Sequence, residues 1–264
     1  MSNNIFFERG QMADKPNNYL WNGDCLELMK DIPNKSMDAI ICDLPYGTTD
    51  CSWDSIIPLD KLWVEYKRVI KPKGAILLFG SEPFSSQLRM SNIKAYRTEW
   101  FWNKRAASNV GLVKYHPLKI IETISVFGFE PVNYYPIMTK GKMRMKGGKA
   151  KCNTIQSGLK PKYEASDMYY PKNLLDIKKD RGLHPTQKPL ELLEYLVKTY
   201  TNENEWVLDN TCGSNTTGIA CYDLNRNYIG IEKDIDIYNV AKKRVEKNIL
   251  LRANEQQTLF KDKH

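Results

Sequence analysis

Short runs rich in β-branched and aromatic residues alternate along this chain with stretches of helical apolar spacing, and that alternation admits few folds. The runs lie at Tyr19–Gly23, Met37–Cys42, Ala75–Phe79, Thr98–Trp102, Ile120–Phe127, Trp206–Leu208 and Tyr228–Ile231. Helical spacing covers Leu26–Asp31, Leu59–Val69, Phe84–Asn92, Leu190–Tyr200 and Asp236 to about Leu251. Strand followed by helix, repeated, builds a mostly parallel central sheet flanked by helices, the α/β class. With 264 residues, 42% of them hydrophobic, the chain suffices for one such domain and an inserted module. Apolar stretches such as Gly74–Gly80 fall far short of the roughly 20 residues a membrane span needs. Met1–Asn22 lacks the order of a secretory signal. The expectation is a cytoplasmic protein with no membrane partner. Its six cysteines contain no CxxC pair and only three histidines accompany them, so neither a metal site nor a disulfide framework is expected.

The positive charge is concentrated. Residues 131–182 hold 12 Lys and Arg against 4 Asp and Glu, while the rest of the chain balances at 27 of each sign. The whole net charge of +8 therefore belongs to one segment. That segment interleaves Lys140, Lys142, Arg144, Lys146, Lys149 and Lys151 with tyrosines, a pattern suited to a phosphate backbone and unstacked bases. The plainer alternative is a solvated loop whose lysines only maintain solubility.

In open α/β sheets ligands lie beyond the carboxyl ends of the strands, so residues just after each strand are where chemistry is sought. The first such place is Val207–Gly218, where a strand meets a tight turn and a helix opened by hydroxyl and amide residues. Gly213 lets a ligand approach the backbone, and Glu232, about 20 residues on, ends the next strand where an acid accepts ribose hydroxyls. This describes a nucleoside pocket, although a purely structural strand-turn-helix also fits. The second place is Asp38–Gly47, in which Asp43, Leu44, Pro45 and Tyr46 follow an apolar strand. Asp43 and the Pro45 carbonyl can accept hydrogen bonds from one flat amino group while Tyr46 stacks on its ring. The third is His184-Pro185-Thr186-Gln187-Lys188-Pro189, ahead of an amphipathic helix; alone it reads as a helix start.

Taken together and in this order, these elements resemble the β class of DNA amino-methyltransferases, which place a DPPY-type catalytic motif before the S-adenosylmethionine motif. Asn22-Gly23-Asp24-Cys25 is similar to the family's upstream acid motif, and Arg68–Gly74 to its helix exit. The resemblance covers nearly the whole chain except the basic insert. It implies a Rossmann-like methyltransferase fold with circularly permuted motif order. The catalytic domain would span 1–130 and 183–264, and 131–182 would be the target-recognition region on double-stranded DNA. It further implies that Asp209, Thr211, Gly213, Ser214, Asn215, Thr216 and Thr217 hold the methionine part of S-adenosylmethionine, helped by Thr186 and Lys188. Glu232 would take the ribose and Asp24 the adenine side. Asp43, Leu44, Pro45 and Tyr46 would form the target-base site. Leu44, Asn215 and Asn210 depart from the family's usual Pro, Gly and Pro; asparagine tolerates left-handed backbone better than most residues.

An Asp at position 43 resembles the adenine-N6 enzymes more than the cytosine-N4 enzymes, which stay the runner-up. The rival readings are an inactive DNA-binding module and a protein-amide methyltransferase. The latter has the cofactor motif before the catalytic one, whereas here Asp43 precedes Asp209. A homodimer and a companion restriction enzyme are left open.

Overall fold

The computed structural model describes residues 17–47, 56–146, 164–180 and 187–261. The expected strands all form: β1 (Asn18–Asn22), β2 (Met37–Cys42), β3 (Ile70–Gly80), β4 (Tyr96–Asn103), β5 (Ile121–Phe127), β9 (Trp206–Asp209) and β10 (Asn227–Glu232). So do the helices α1 (Cys25–Leu28), α2 (Leu59–Val69), α3 (Phe84–Ser91), α4 (Leu190–Tyr200), α5 (Thr216–Asp223) and α6 (Ile235–Lys261). Three further strands have no counterpart in the sequence reading: β6 (Thr139–Lys146), β7 (Glu164–Tyr169) and β8 (Leu174–Asp176).

The main sheet runs β1-β10-β9-β2-β3-β5-β4-β8. Its pairings are parallel except those of β5, which is antiparallel to both β3 and β4. All six residues of β2 are buried, as a central parallel strand covered on both faces requires. Ala39 and Ile41 face Leu192, Leu196 and Ala220 of α4 and α5, whereas Ile40 and Cys42 face Leu62, Tyr66 and Leu88 of α2 and α3. The alternation follows from the two-residue period of a strand. The sheet is doubly wound, with its order breaking where β9 meets β2.

Polar groups fasten this junction. Asp38 takes Lys71 Nζ at 2.7 Å and the Trp206 backbone N–H at 2.9 Å, joining the starts of β2 and β9. Arg68, at the end of α2, donates to the Met29 and Ile32 carbonyls, both at 2.6 Å, and ties α2 to the turn ahead of β2. Gly74 has no room for a side chain, since a Cβ there would lie 2.8 Å from the Asp38 carbonyl oxygen.

The chain divides into two compact units, Met1–Tyr135 with Asn173–His264, and Pro136–Lys172. Both flanks of the basic segment belong to the larger unit. Tyr135 donates its N–H to the Thr199 carbonyl at 2.8 Å, and β8 pairs in parallel with β4. The smaller unit contains the antiparallel pair β6 and β7, where Gly141 lies against the Tyr169 ring and Tyr169 Oη donates to the Lys142 carbonyl at 2.7 Å. Among the described residues no helix is long and apolar enough to cross a membrane.

Candidate active site

The carboxyl ends of β1, β2, β9 and β10 converge on a cavity of about 590 Å³, within the range of small-molecule sites. Asp24, Asp43, Leu44, Pro45, Tyr46, Lys188, Asp209, Thr211, Gly213, Ser214, Thr216, Thr217 and Glu232 all line it. Thr186 lies outside the described residues, as do His184 and Pro185. Asn215 is not a cavity wall. It sits fully buried beneath the turn at φ 62, ψ 41, the left-handed region in which asparagine is a fair substitute for glycine. Its amide occupies the space beside Gly218, where a Cβ would lie 2.5 Å from Asn215 Oδ1.

On one side the geometry suits a nucleoside carrying positive charge. Gly213 takes φ 53, and a Cβ there would meet nothing within 4 Å, so the backbone stands open to the cavity. Glu232 accepts the Gly213 N–H at 3.0 Å and the Asp234 N–H at 2.9 Å, and burial raises its carboxyl above the ordinary value. Asp24 caps α1 through the Leu26 N–H at 3.0 Å and meets Lys233 Nζ at 3.2 Å. Asp209 accepts Thr217 Oγ1 at 2.7 Å and the Thr211 N–H at 3.2 Å; burial pushes its pKa up to about 7. A cation bound nearby would favour its ionised form. The turn is held from behind by Arg244 of α6. Its Nη1 lies 2.9 Å from the Ser214 carbonyl and 2.8 Å from Thr216 Oγ1. Nothing in the local sequence marks Arg244, because it reaches the turn from 30 residues away.

The other side centres on Asp43. Tyr46 Oη donates to Asp43 Oδ1 at 2.7 Å, and the Tyr46 ring stacks on Phe84 at 5.0 Å between centroids. Thr211 Oγ1 donates to the Asp43 carbonyl at 3.1 Å, joining the two strand ends. Leu44 is buried in the core cluster beneath the turn. Lys188, placed with the cofactor by resemblance, makes an ion pair with Asp43 Oδ2. Its Nζ also lies 3.5 Å from Glu122 Oε2 and 5.0 Å from the centre of the Phe79 ring. Glu122 in turn accepts Lys104 Nζ at 2.9 Å. Burial works against the Lys188 charge, but Asp43 and Glu122 outweigh it and hold its pKa above the ordinary lysine value. Burial likewise opposes ionisation of Glu122, and Lys188 and Lys104 together pull its carboxyl below the ordinary value.

Glu122 and Lys104 escape the sequence reading because nothing in their neighbours marks them. Since β5 runs backwards, its second residue reaches the edge where β2 and β4 end, and Trp102 pairs with Glu122. Asn210 likewise acquires a use. Its Oδ1 accepts Tyr66 Oη at 2.6 Å and Cys42 Sγ at 2.9 Å, and its N–H points to Cys42 Sγ at 3.3 Å.

Of the basic residues, Lys140 and Lys142 are exposed on β6, and Lys140 Nζ lies 3.8 Å from Asp167 Oδ2. Arg144 and Lys146 complete β6, while Lys149 and Lys151 fall outside the described residues.

A doubly wound sheet with a nucleoside-sized pocket beside a strand-end Asp-Leu-Pro-Tyr turn defines a group-transfer enzyme of the Rossmann-like methyltransferase class. The model of the N6/N4 DNA methylases matches residues 37–243, and the chain belongs to that family of DNA amino-methyltransferases. It is 29% identical over 259 residues to the type II methyltransferase M.HinfI of Haemophilus influenzae, covering 86% of this chain and 68% of that protein. It is 27% identical to the DNA adenine methyltransferase YhdJ of Escherichia coli strain K12, covering 85% of this chain and 81% of the relative. Among solved structures, the M1.HpyAVI–SAM complex superposes with a TM-score of 0.59 at 26% identity, covering 85% of this chain and 98% of that one.

Proposed function

We propose that this chain transfers a methyl group from S-adenosylmethionine to the exocyclic N6 of an adenine extruded from double-stranded DNA. The observation that carries the reading is that Asp43 and Tyr46 open onto the same cavity as Asp209, Gly213 and Glu232. A base-holding turn and a nucleoside cradle thus share one space. When bound, the cofactor supplies an electrophilic sulfonium methyl. The residues must then make a poor nucleophile attack it, because the amino lone pair is delocalised into the base. Asp43 and the Pro45 carbonyl accept the two amino hydrogens and favour a tetrahedral nitrogen with a directed lone pair. Asp209 and Glu232 hold the cofactor's amino-acid and ribose ends, so catalysis is positioning and electrostatics. Lys140, Lys142, Arg144, Lys146, Lys149 and Lys151 contact the DNA backbone, offsetting the few kcal/mol that extrusion costs. The family takes in both N6 and N4 acceptors; Asp43 and the likeness to an adenine methyltransferase favour N6.

Sequencing modified bases in DNA from cells expressing the chain tests the reading, with N6-methyladenine at a defined site expected. N4-methylcytosine would replace adenine by cytosine within the same mechanism. No modified base with the wild-type chain would refute catalysis, as would modification undiminished in Asp43→Ala.

A further inference from the structure

We propose that Glu122 is a positioning residue for the transfer, holding Lys188 against Asp43 so that the acceptor carboxylate enters the reaction oriented and charge-balanced. The inference rests on the reading of Asp43 given above and extends it to β5 and to the turn before α4.

Four alternating charges cross the carboxyl edge of the sheet: Asp43 after β2, Lys188 before α4, Glu122 in β5 and Lys104 after β4. Their charges sum to zero, and all four line the cavity. Lys188, Glu122 and Lys104 side chains are only 11%, 16% and 6% exposed. Burying a lone ammonium is expensive unless it is paired and hydrogen-bonded, so Lys188 needs both carboxylates to stay where it is. The Phe79 ring closes a further side of the ammonium. Held there, Lys188 occupies Asp43 Oδ2 while Tyr46 Oη occupies Oδ1, and the carboxylate has two fixed donors. A carboxylate so fixed presents its remaining lone pairs in one orientation, which is what a directional acceptor for an amino hydrogen requires.

Glu122 is set to retain the lysine. One of its oxygens is bound by Lys104 at 2.9 Å. The other, Oε2, is buried, has no hydrogen-bond donor among the described residues, and faces Lys188 Nζ at 3.5 Å. That oxygen can take a closer share of the ammonium when Asp43 accepts a substrate hydrogen, so Lys188 stays compensated as the Asp43 contacts change. Without Glu122, the lysine would depend on Asp43 alone at the moment Asp43 is needed by the base.

The test is a double-mutant cycle on purified full-length protein, with S-adenosylmethionine and a DNA duplex carrying the target site unmethylated. Dissociation constants, single-turnover rates at saturating cofactor and melting temperatures are measured for Lys188→Met, Glu122→Gln, the double variant and Asp43→Ala. The expected result is a rate loss on the order of a hundredfold for Lys188→Met and tenfold for Glu122→Gln. Cofactor and DNA affinities should stay within about twofold, and the double variant should be no slower than Lys188→Met. A cofactor affinity lost in Lys188→Met with the saturated rate kept would overturn the proposal, making Lys188 a cofactor contact. Additive rate losses would overturn it too, because Glu122 would then act apart from Lys188. If Lys188→Met does not fold, the near-isosteric Glu122→Gln decides: a slower saturated rate at unchanged affinities supports the role, and a normal rate sinks it. Transfer surviving in Asp43→Ala would instead refute the underlying reading of Asp43. A dead Asp43→Ala beside normal Lys188 and Glu122 variants would refute only the positioning role.

Discussion

Gly213 donates its backbone N–H to the Glu232 carboxylate at 3.0 Å, linking the turn after β9 to the end of β10. The acid expected to accept two ribose hydroxyls therefore also fixes the turn against which the ligand lies, and one substitution removes both. Pocket shape and pocket chemistry are coupled through this pair.

Glu232→Ala should weaken S-adenosylmethionine binding by about 1.5 to 3 kcal/mol, the usual worth of hydrogen bonds to a charged group. Loss of the Gly213 and Asp234 contacts places the effect toward the upper end. Titration calorimetry measures it, and an unchanged dissociation constant would remove Glu232 from the cofactor site.

Asp209 gives a pH prediction with a definite sign. Its folded pKa is about 7 against an ordinary 3.8, so between those values the folded chain keeps a proton that the unfolded chain releases. Stability from this group is complete below about pH 4, falls as pH rises towards 7 and is level above that. The fall amounts to about 4 kcal/mol at most, at about 1.4 kcal/mol per pH unit. Without cofactor, Asp209→Asn should lose less stability than wild type between pH 5 and pH 8. Parallel melting curves for the two proteins would contradict the assignment.

Asn210→Pro would restore the residue usual in the family, yet it should destabilise this chain. Proline has no N–H to give Cys42 Sγ and no side-chain acceptor for Tyr66 Oη, a buried hydroxyl. Stranding that hydroxyl costs about 1 to 3 kcal/mol. Chemical denaturation reads the change, and a variant as stable as wild type would mean that the buried network contributes nothing.

Neutralising Lys140, Lys142, Arg144 and Lys146 together should flatten the dependence of DNA affinity on salt. Each phosphate contact contributes a slope of about −0.9 on a log-log plot, so up to about four contacts' worth would vanish. Cofactor binding should hold, since β6 belongs to the smaller unit and the cavity to the larger. A folded quadruple variant with unaltered affinity and slope would reduce these lysines to a solvated surface.

Leu59–Val69 and Leu190–Tyr200 were legible because each follows a proline and carries apolar residues at helical spacing, and Met37–Cys42 because its short, nearly continuous apolar run ends at Asp43-Leu44-Pro45. The strand-end residues Asp43, Asp209 and Glu232 were legible for a related reason: each ends a buried run, and in a parallel sheet such ends share an edge. Neither argument reaches β5, whose residues fit a strand equally well in either direction. Direction is settled by which neighbours it pairs with, and only the reversed strand brings Glu122 beside Lys188 and Asp43. The same limit hid Arg244 behind the Ser214 turn and the Asn210 contact with Tyr66, each made across many residues of chain. Local pattern alone determined the elements of the catalytic sheet other than β8, the charge segregation and the residues at the strand ends, since these depend on a few neighbours, whereas the polar, lysine-rich β6 and β7 and the short β8 carry no such pattern and form through their pairings. Charge pairing and buried hydrogen bonding were decided by the tertiary structure, because they depend on which surfaces exclude water together.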